Sequence, residues 1–369
     1  MSAGGTMAKD KKAAPDLDSF ADAAKKAALT ETQGLARTVR AQKAIIDEQH
    51  EVIESVREKI GLYETIHSSP VKPPEWLAPK KAAKDHVAIP CMMLTDVHWD
   101  ETVTPEQIDN VNKYDHDIAE MRLRRAFKRS IHVCRDYMAG VRYTGFQLFL
   151  GGDLLSGIIH EELRESNRGT IIQSILTIAP QLTAGIKLLA EEFGQVNIDA
   201  VVGNHGRRTL KPVSKNRAQD NFDWLVYKWV SERLADDKRI TMRVADAPDA
   251  HVQVHDVNYL LTHGDQFKGG SGISAAFAPL LLGVHRKTRR QAAIGRPFRT
   301  MVMGHFHKSI WMPEDGLIVG GSIIGYNEYA YQQNLTPEAP QCALWLNTPE
   351  RGITVHAPVF VSDRTDEGW

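Results

Sequence analysis

The chain has 369 residues, of which 45 are Lys or Arg and 46 are Asp or Glu. At about 150 residues per domain, this length allows one large domain or two smaller ones. The formal net charge of -1 excludes a global electrostatic attraction to nucleic acid or to an anionic membrane, so any such attraction must be local. The three cysteines lie far apart, which indicates neither a disulfide framework nor a thiolate metal site. No apolar run approaches the ~18 residues of a membrane span, so we expect a soluble, cytoplasmic protein without membrane contact.

The N-terminal part of the chain is predicted to lie outside the main domain. Residues 1–30 carry few large apolar side chains and are expected to form a disordered tail. Residues 31–66 are expected to form one helix, because apolar and Gln side chains recur at alternating spacings of three and four. These positions are Leu35, Val39, Gln42, Ile46, Gln49, Ile53, Val56, Ile60 and Tyr63. Residues 67–85 contain four prolines and are interpreted as a linker.

Two interpretations of this helix remain open. One register of the heptad, which includes Ile46 and Ile53, is entirely β-branched and favours a parallel two-stranded coiled coil. In that case the chain is a homo-oligomer through residues 35–63. The alternative is an amphipathic helix that packs on the main domain of its own chain.

The sequence pattern of residues 86–369 is typical of an α/β layered domain. Short apolar runs alternate with helical stretches, which is the pattern of a sheet covered by helices. The predicted buried strands are 86–95, 146–150, 198–202, 257–262 and 300–303. Shorter strand-like segments follow at 316–319, 343–347 and 353–356.

Side chains able to bind metal follow each of the five predicted buried strands. In chain order the segments are Asp96-Val97-His98, Gly152-Asp153, Gly203-Asn204-His205, His263-Gly264 and Gly304-His305-Phe306-His307. An α/β sheet places its ligand crevice at the carboxyl ends of its strands, so these side chains are expected to converge. Each segment alone is a weak signal, whereas the ordered set indicates one metal centre. Imidazole, carboxylate and amide donors without thiolate suit Mn, Fe or Zn.

This ordered set resembles the motifs of the calcineurin-like metallophosphoesterase superfamily, over about residues 86–330. The resemblance implies an α/β fold of two packed β-sheets flanked by helices, with a centre of two divalent metal ions. It implies that Asp96, His98 and His307 bind one metal. It implies that Asn204, His263 and His305 bind the other, that Asp153 bridges them, and that His205 is the catalytic histidine.

The expected reaction is hydrolysis of a phosphodiester by a metal-activated hydroxide, with His205 as general acid. Mn is the first choice of metal, with Fe or Zn as alternatives. Within the superfamily the chain looks nearest to SbcD-like repair nucleases, with two departures. Ser156 stands where those nucleases usually have a histidine, and Gly206 replaces an acid that could hold His205 charged. Asp265 is a candidate substitute for that acid.

Two basic segments without acidic residues, 206–219 and 266–313, flank the motifs and have aromatic residues close by. They are interpreted as a nucleic-acid face, with Arg207, Arg208 and Lys268 as candidate substrate-binding residues. The alternative is that these segments form an ordinary solvated surface. A small-molecule (nucleotide) phosphodiesterase or phosphatase is the alternative function, and a non-catalytic scaffold is a third.

Overall fold

The computed structural model describes residues 17–67, 86–159, 163, 166–267 and 277–369. The chain divides into two units, Met1–Ala83 and Lys84–Trp369. Residues 68–85 of the predicted linker lie outside the described residues, as do residues 1–16 of the predicted tail, while residue 67 is the last residue of the N-terminal helix.

The first unit contains one long helix, α1, which spans Leu17–His67. Every described side chain from Ala21 to Arg57 on this helix is exposed. The helix begins at Leu17 rather than near residue 31, so residues 17–30 are helical and the expectation of disorder does not hold for them. The physical reason is that a segment too polar to build a core can still be rich in Ala and Lys, which are strong helix formers.

The second unit begins with a seven-stranded sheet, in the order β12-β11-β1-β3-β4-β5, with β2 paired to β1. Strands β1, β3, β4 and β5 run parallel to one another, whereas β11 is antiparallel to both β1 and β12. The strands are β1 His86–Leu94, β2 Val141–Tyr143, β3 Phe146–Leu150, β4 Val196–Ala200, β5 Ile240–Val244, β11 Gln341–Thr348 and β12 Gly352–Phe360. The carboxyl ends of β1, β3 and β4 therefore meet at one edge.

A second sheet of five strands has the order β6-β7-β8-β10-β9. Strand β8 is parallel to β7 and to β10, while β6 and β9 are antiparallel edge strands. The strands are β6 Asp249–Val254, β7 Val257–Thr262, β8 Thr300–Met303, β9 Ser309–Met312 and β10 Leu317–Gly320. The carboxyl ends of β7 and β8 also lie side by side.

The two sheets pack face to face, and helices cover their outer faces. Phe149 and Val201 of the first sheet share a buried core with Tyr259, Val302 and Ile318 of the second. Burial of these faces removes apolar surface from water and is the main force that holds the layers together. The helices are α2 His116–His132, α3 Ile171–Phe193, α4 Phe222–Leu234, α5 Ala278–Ala293, α6 Glu328–Gln332 and α7 Arg364–Glu367. The expected α/β fold of two sheets flanked by helices is confirmed.

Helices α2, α3 and α4 pack on the first sheet, and α5 packs on the second. Helix α3 is long and apolar enough to cross a membrane by length and composition, a test that the core helix of a soluble protein also passes. Its residues Ile178, Leu182 and Ile186 are fully buried in the core beneath the first sheet. This packing accounts for its apolar composition.

Candidate metal centre

The predicted ligands converge at the carboxyl ends of five strands, three from the first sheet and two from the second. They form three overlapping groups, within each of which one ligand atom per residue lies within 4.8 Å of the others. The groups are Asp96 with His98 and His307, His98 with Asp153 and His205, and Asp153 with His263 and His305. Because His98 and Asp153 each belong to two groups, the three groups form one continuous cluster.

Asn204 belongs to the same cluster. Its Oδ1 lies 3.1 Å from Nε2 of His263. The same Nε2 lies 3.0 Å from Oδ2 of Asp153. At the other end of the cluster, Nε2 of His307 lies 3.4 Å from Oδ1 of Asp96. Asp153 thus occupies the middle of the cluster, between the two predicted ligand sets.

The backbone is left-handed at five of the predicted ligands. These are Asp96, His98, Asp153, His305 and His307, with φ between 50° and 71°. A non-glycine residue pays a conformational cost in this region, and such strain concentrates at functional sites. Here it turns the chain sharply after β1, β3 and β8, so that side chains from these three strand ends reach the same cluster.

Two glycines allow the carboxylates to sit close to neighbouring backbone. A Cβ on Gly203 would lie 2.0 Å from Oδ1 of Asp153. A Cβ on Gly304 would lie 2.4 Å from Oδ2 of Asp96. The glycines of the Gly-Asn-His and Gly-His-x-His segments are therefore required by steric contact with the carboxylates.

Hydrogen bonds fix which imidazole nitrogens face the cluster. His263 Nδ1 lies 2.8 Å from the carbonyl oxygen of Gly151, which can only accept, so Nδ1 carries a proton. His98 Nδ1 lies 3.0 Å from a carboxylate oxygen of Glu101. Both ring nitrogens of His98 are buried and neither makes a hydrogen bond to a described residue, so the contact of Nδ1 with Glu101 is an ion-pair contact. A buried nitrogen without a partner is costly, and a metal ion would satisfy it.

Opposite charges hold this buried cluster together. Burial opposes ionisation of Asp153, but His263 and His205 hold its pKa well below the usual range. Burial would lower the pKa of His98, but Glu101 and nearby aspartates raise it to about 9. Asp153 and Asp96 likewise outweigh burial and raise the pKa of His263 to about 10. Burial lowers the pKa of His305 to about 4, so this ring is neutral at physiological pH.

The described contacts of His205 link it to the loop after β3. Its N–H donates to Oδ1 of Asp153 at 2.7 Å, and its Nδ1 lies 2.8 Å from the carbonyl oxygen of Ser156. Burial lowers the pKa of its imidazole to about 4. Asp265, the candidate acid behind His205, forms an ion pair with Arg217.

Sequence reasoning missed two buried acids at the centre, Glu101 and Asp223. Asp223, in the first turn of α4, accepts hydrogen bonds from the N–H groups of Asp153 at 2.9 Å and Gly203 at 3.0 Å. It thereby ties the loop after β3 to the loop after β4. Burial and the charge of Asp153 raise the pKa of Asp223 to about 6. An acid in the first turn of a helix is common, so no sequence signal marked it.

The candidate substrate-binding residues have different surroundings. The guanidinium of Arg207 donates to the carbonyl oxygens of Asn204, Thr209 and Leu210, each at 2.9 Å. It therefore braces the loop beside the cluster. Arg208 is exposed and forms an ion pair with Asp220. Lys268 lies outside the described residues.

No protein-family model and no curated protein matches the chain. Among solved structures, it is similar to zinc-bound Vps29 from Entamoeba histolytica, with 9% identity over 73% of this chain and 99% of that chain, at a TM-score of 0.28. It is also similar to a dimetal phosphatase from Danio rerio, with 11% identity over 74% of this chain and 99% of that chain, at a TM-score of 0.31. A putative 5'-nucleotidase from Staphylococcus aureus is 13% identical over 75% of this chain and 55% of that chain, at a TM-score of 0.32. At these TM-scores the likenesses establish neither a family nor an activity.

Proposed function

We propose that this chain is a two-metal phosphoesterase of the calcineurin-like type, which hydrolyses phosphodiester bonds. The observation that carries the proposal is the convergence of seven ligand-type side chains from five strand ends into overlapping groups. Two bound divalent ions would supply Lewis-acid chemistry there, lowering the pKa of water and offsetting phosphate charge.

The donor set supports metal binding on its own. Four imidazoles, two carboxylates and one amide meet without a thiolate, a mixture that suits Mn first, with Fe or Zn as alternatives. Asp96, His98 and His307 would hold one ion. Asn204, His263 and His305 would hold the other, with Asp153 between them. Nε2 of His98 supports this assignment, because it is buried without a hydrogen bond to a described residue and would offer a lone pair to the first ion once the ring loses its proton.

His205 is proposed to donate a proton to the leaving oxygen. Its Nδ1 contacts the Ser156 carbonyl, and Nε2 is the nitrogen assigned to carry this proton. In the metal-free centre the pKa of His205 is about 4, so the neutral form dominates. The negative charge of a bound phosphodiester would raise this pKa and favour the protonated form.

Nucleic acid is the first candidate substrate. The support is the pair of acid-free basic segments, 206–219 and 266–313, which flank the metal-binding motifs. Arg207 adds positive charge next to Asn204, and Lys268 is retained as a candidate contact. Phosphate contacts from such segments would make binding depend steeply on salt.

A small phosphodiester such as a nucleotide is the second candidate, and specific ion pairs favour it. Lys287 and Arg290 both pair with Asp249, and Arg208 pairs with Asp220. Acids from elsewhere in the chain thus engage several of the cations that the sequence offered to nucleic acid. A paired cation contributes less to polyanion binding, so fewer basic residues remain to contact a nucleic acid.

A substrate panel with the Mn-loaded protein tests both candidates. It comprises single- and double-stranded DNA and RNA, a cyclic nucleotide and bis(p-nitrophenyl) phosphate. Cleavage of a polynucleotide whose KM rises steeply with salt supports the first candidate, whereas hydrolysis of the small diesters alone would remove nucleic acid. Asp153→Asn should reduce activity more than about 100-fold, because even changes behind the ligands cost 10–100-fold. Asp236→Asn, at an exposed acid, is the control, and full activity in Asp153→Asn would refute the assigned centre.

We also propose that α1 mediates self-association through residues 35–63. Its heptad side chains Leu35, Val39, Ile46 and Ile53 are 45–62% exposed. A basic residue lies at the edge of the seam four residues after each β-branched side chain of this set. These basic residues are Lys43, His50 and Arg57. An antiparallel pair would bring these basic edges together, so charge repulsion favours the parallel arrangement. A second copy of the chain is the proposed partner.

A further inference from the structure

Glu101 is a buried acid that lies behind the metal-binding cluster rather than in it. We propose that Glu101 is a positioning residue that fixes the ring of His98. We also propose that Ser156, which contacts both Glu101 and His205, couples the position of the His205 ring to that of His98. The inference rests on the proposed metal centre and adds residues that the metal-binding motifs do not contain.

Glu101 is only 5% exposed, and its carboxylate has partners on both oxygens. Its Oε2 lies 3.0 Å from Nδ1 of His98 and accepts a hydrogen bond from Oγ of Ser156 at 3.2 Å. Its Oε1 accepts from Nδ2 of Asn327 at 3.1 Å. With contacts on both sides, the carboxylate is held in one orientation.

This contact decides which nitrogen of His98 is available to a metal. An ionised carboxylate can only accept, so it favours a proton on Nδ1 and leaves the lone pair on Nε2. Nε2 is the nitrogen of His98 that would face the ion, together with Asp96 and His307. A carboxylate behind a metal-binding imidazole also increases its strength as a ligand.

Ser156 connects two imidazoles through two different atoms. Its Oγ donates to Glu101, while its carbonyl oxygen lies 2.8 Å from Nδ1 of His205. The rings of His98 and His205 meet edge to face, with centroids 4.5 Å apart. A shift of the Ser156 loop would therefore move both rings.

Asn327 brings a third chain segment into this arrangement. It lies in the loop after β10, where its Oδ1 caps α6 by accepting from the N–H of Ala330 at 3.1 Å. The cap fixes the side chain, and Nδ2 remains directed at Glu101. Glu101 is thus held by segments that follow β3 and β10, which are strands of different sheets.

The test measures metal binding by the full-length protein, separately from catalysis. Mn²⁺ and Zn²⁺ are titrated by calorimetry into metal-free wild type, Glu101→Gln, Ser156→Ala and Glu106→Gln. Glu101→Gln should weaken one of the two binding events by about 10–100-fold and leave the other within about threefold, because only His98 loses its carboxylate. Glu106→Gln, at an exposed acid five residues away, should bind as the wild type does.

A Co²⁺-loaded sample adds a readout that stability alone would not change. The visible spectrum of the Co²⁺ site should shift in Glu101→Gln and remain unchanged in Glu106→Gln. If Glu101→Gln does not fold, Ser156→Ala takes its place, because it keeps the carboxylate and the Ser156 carbonyl. Ser156→Ala should weaken the same binding event, by a smaller factor.

The outcomes separate this inference from the proposed reaction. Two results would overturn the role of Glu101 and leave the proposed reaction untouched. One is that Glu101→Gln and Ser156→Ala bind both ions with wild-type affinity, and the other is that both binding events are weakened equally. Wild-type protein that binds two ions but hydrolyses no phosphoester would overturn the reaction, and the affinity comparison would still decide the role of Glu101.

Discussion

At the scale of single residues, two imidazoles of the centre must lose protons before they can bind metal. The pKa of His98 is about 9 and that of His263 about 10 in the metal-free protein. Both pKa values are raised, so both rings are charged near neutral pH and become neutral only as pH rises. Metal binding at about pH 7.5 should therefore release about two protons, and apparent affinity should increase toward pH 9.

Calorimetric titration of Mn²⁺ in buffers with different ionisation enthalpies measures this release. The slope of observed enthalpy against buffer enthalpy gives the number of protons. Asp236→Asn, at an exposed acid, serves as the matched control. A slope of zero, or an affinity that falls as pH rises, would contradict the assignment of these two rings as ligands.

The sequence predicted the residues of the cluster but not the residues that hold them. Asp96, His98 and the other ligands lie in short segments directly after strands, and parallel strands bring such segments together. Glu101 and Asp223 act through contacts with distant backbone and side chains, which no spacing encodes. Nδ1 of His205 contacts a backbone carbonyl, an atom that every residue carries and no pattern distinguishes.

At the scale of elements, the loop after β4 depends on a glycine for its closeness to Asp153. A Cβ on Gly203 would lie 2.0 Å from Oδ1 and 2.3 Å from the backbone nitrogen of Asp153. Gly203→Ala should therefore displace the carboxylate, lower the free energy of unfolding by about 1–3 kcal/mol and weaken metal binding. Urea unfolding in EDTA measures the first effect, and Mn²⁺ titration measures the second.

Gly145→Ala is the control for this steric argument. A Cβ there would meet its nearest atom, the carbonyl oxygen of Gln195, at 3.3 Å, which a small adjustment can relieve. Its metal affinity should equal that of the wild type. If Gly203→Ala binds metal as tightly as Gly145→Ala does, the close contact of the two loops is not needed for the centre.

The orientation of the proposed α1 coiled coil can be tested by cross-linking. Gln42 and Gln49 occupy successive core positions of the heptad, so in a parallel pair each residue meets its own counterpart. Gln42→Cys and Gln49→Cys should both form intermolecular disulfides on mild oxidation. In an antiparallel pair only a residue near the centre of symmetry could do so. The native cysteines are buried, and the wild-type protein provides the background.

The sequence predicted buried strands better than half-exposed ones. Strands β3, β7 and β8 match the expected ranges residue for residue, because continuous apolar runs mark strands buried on both faces. The edge strands β6 and β9 and the short β2 were not predicted, since half-exposed strands carry mixed side chains. The early start of α1 was missed because its first turns are polar and follow no apolar period.

At the scale of the whole molecule, two sheets with different strand orders contribute to one centre. The first sheet supplies Asp96, His98, Asp153, Asn204 and His205, and the second supplies His263, His305 and His307. The shared core of Phe149, Tyr259 and Val302 fixes the sheets against each other, and with them the two ligand sets. All of these residues belong to the unit Lys84–Trp369.

This division predicts the effect of removing the N-terminal unit. A protein that begins at Lys84 should keep its kcat within about threefold of the full chain, since a unit with its own core can fold alone. It should also bind the same number of metal ions, while its mass in solution should fall to that of one chain. An activity assay measures kcat, metal analysis counts the ions, and light scattering measures the mass. An oligomer that persists without residues 1–83 would contradict self-association through α1, and loss of the metals would show that the second unit does not maintain the centre by itself.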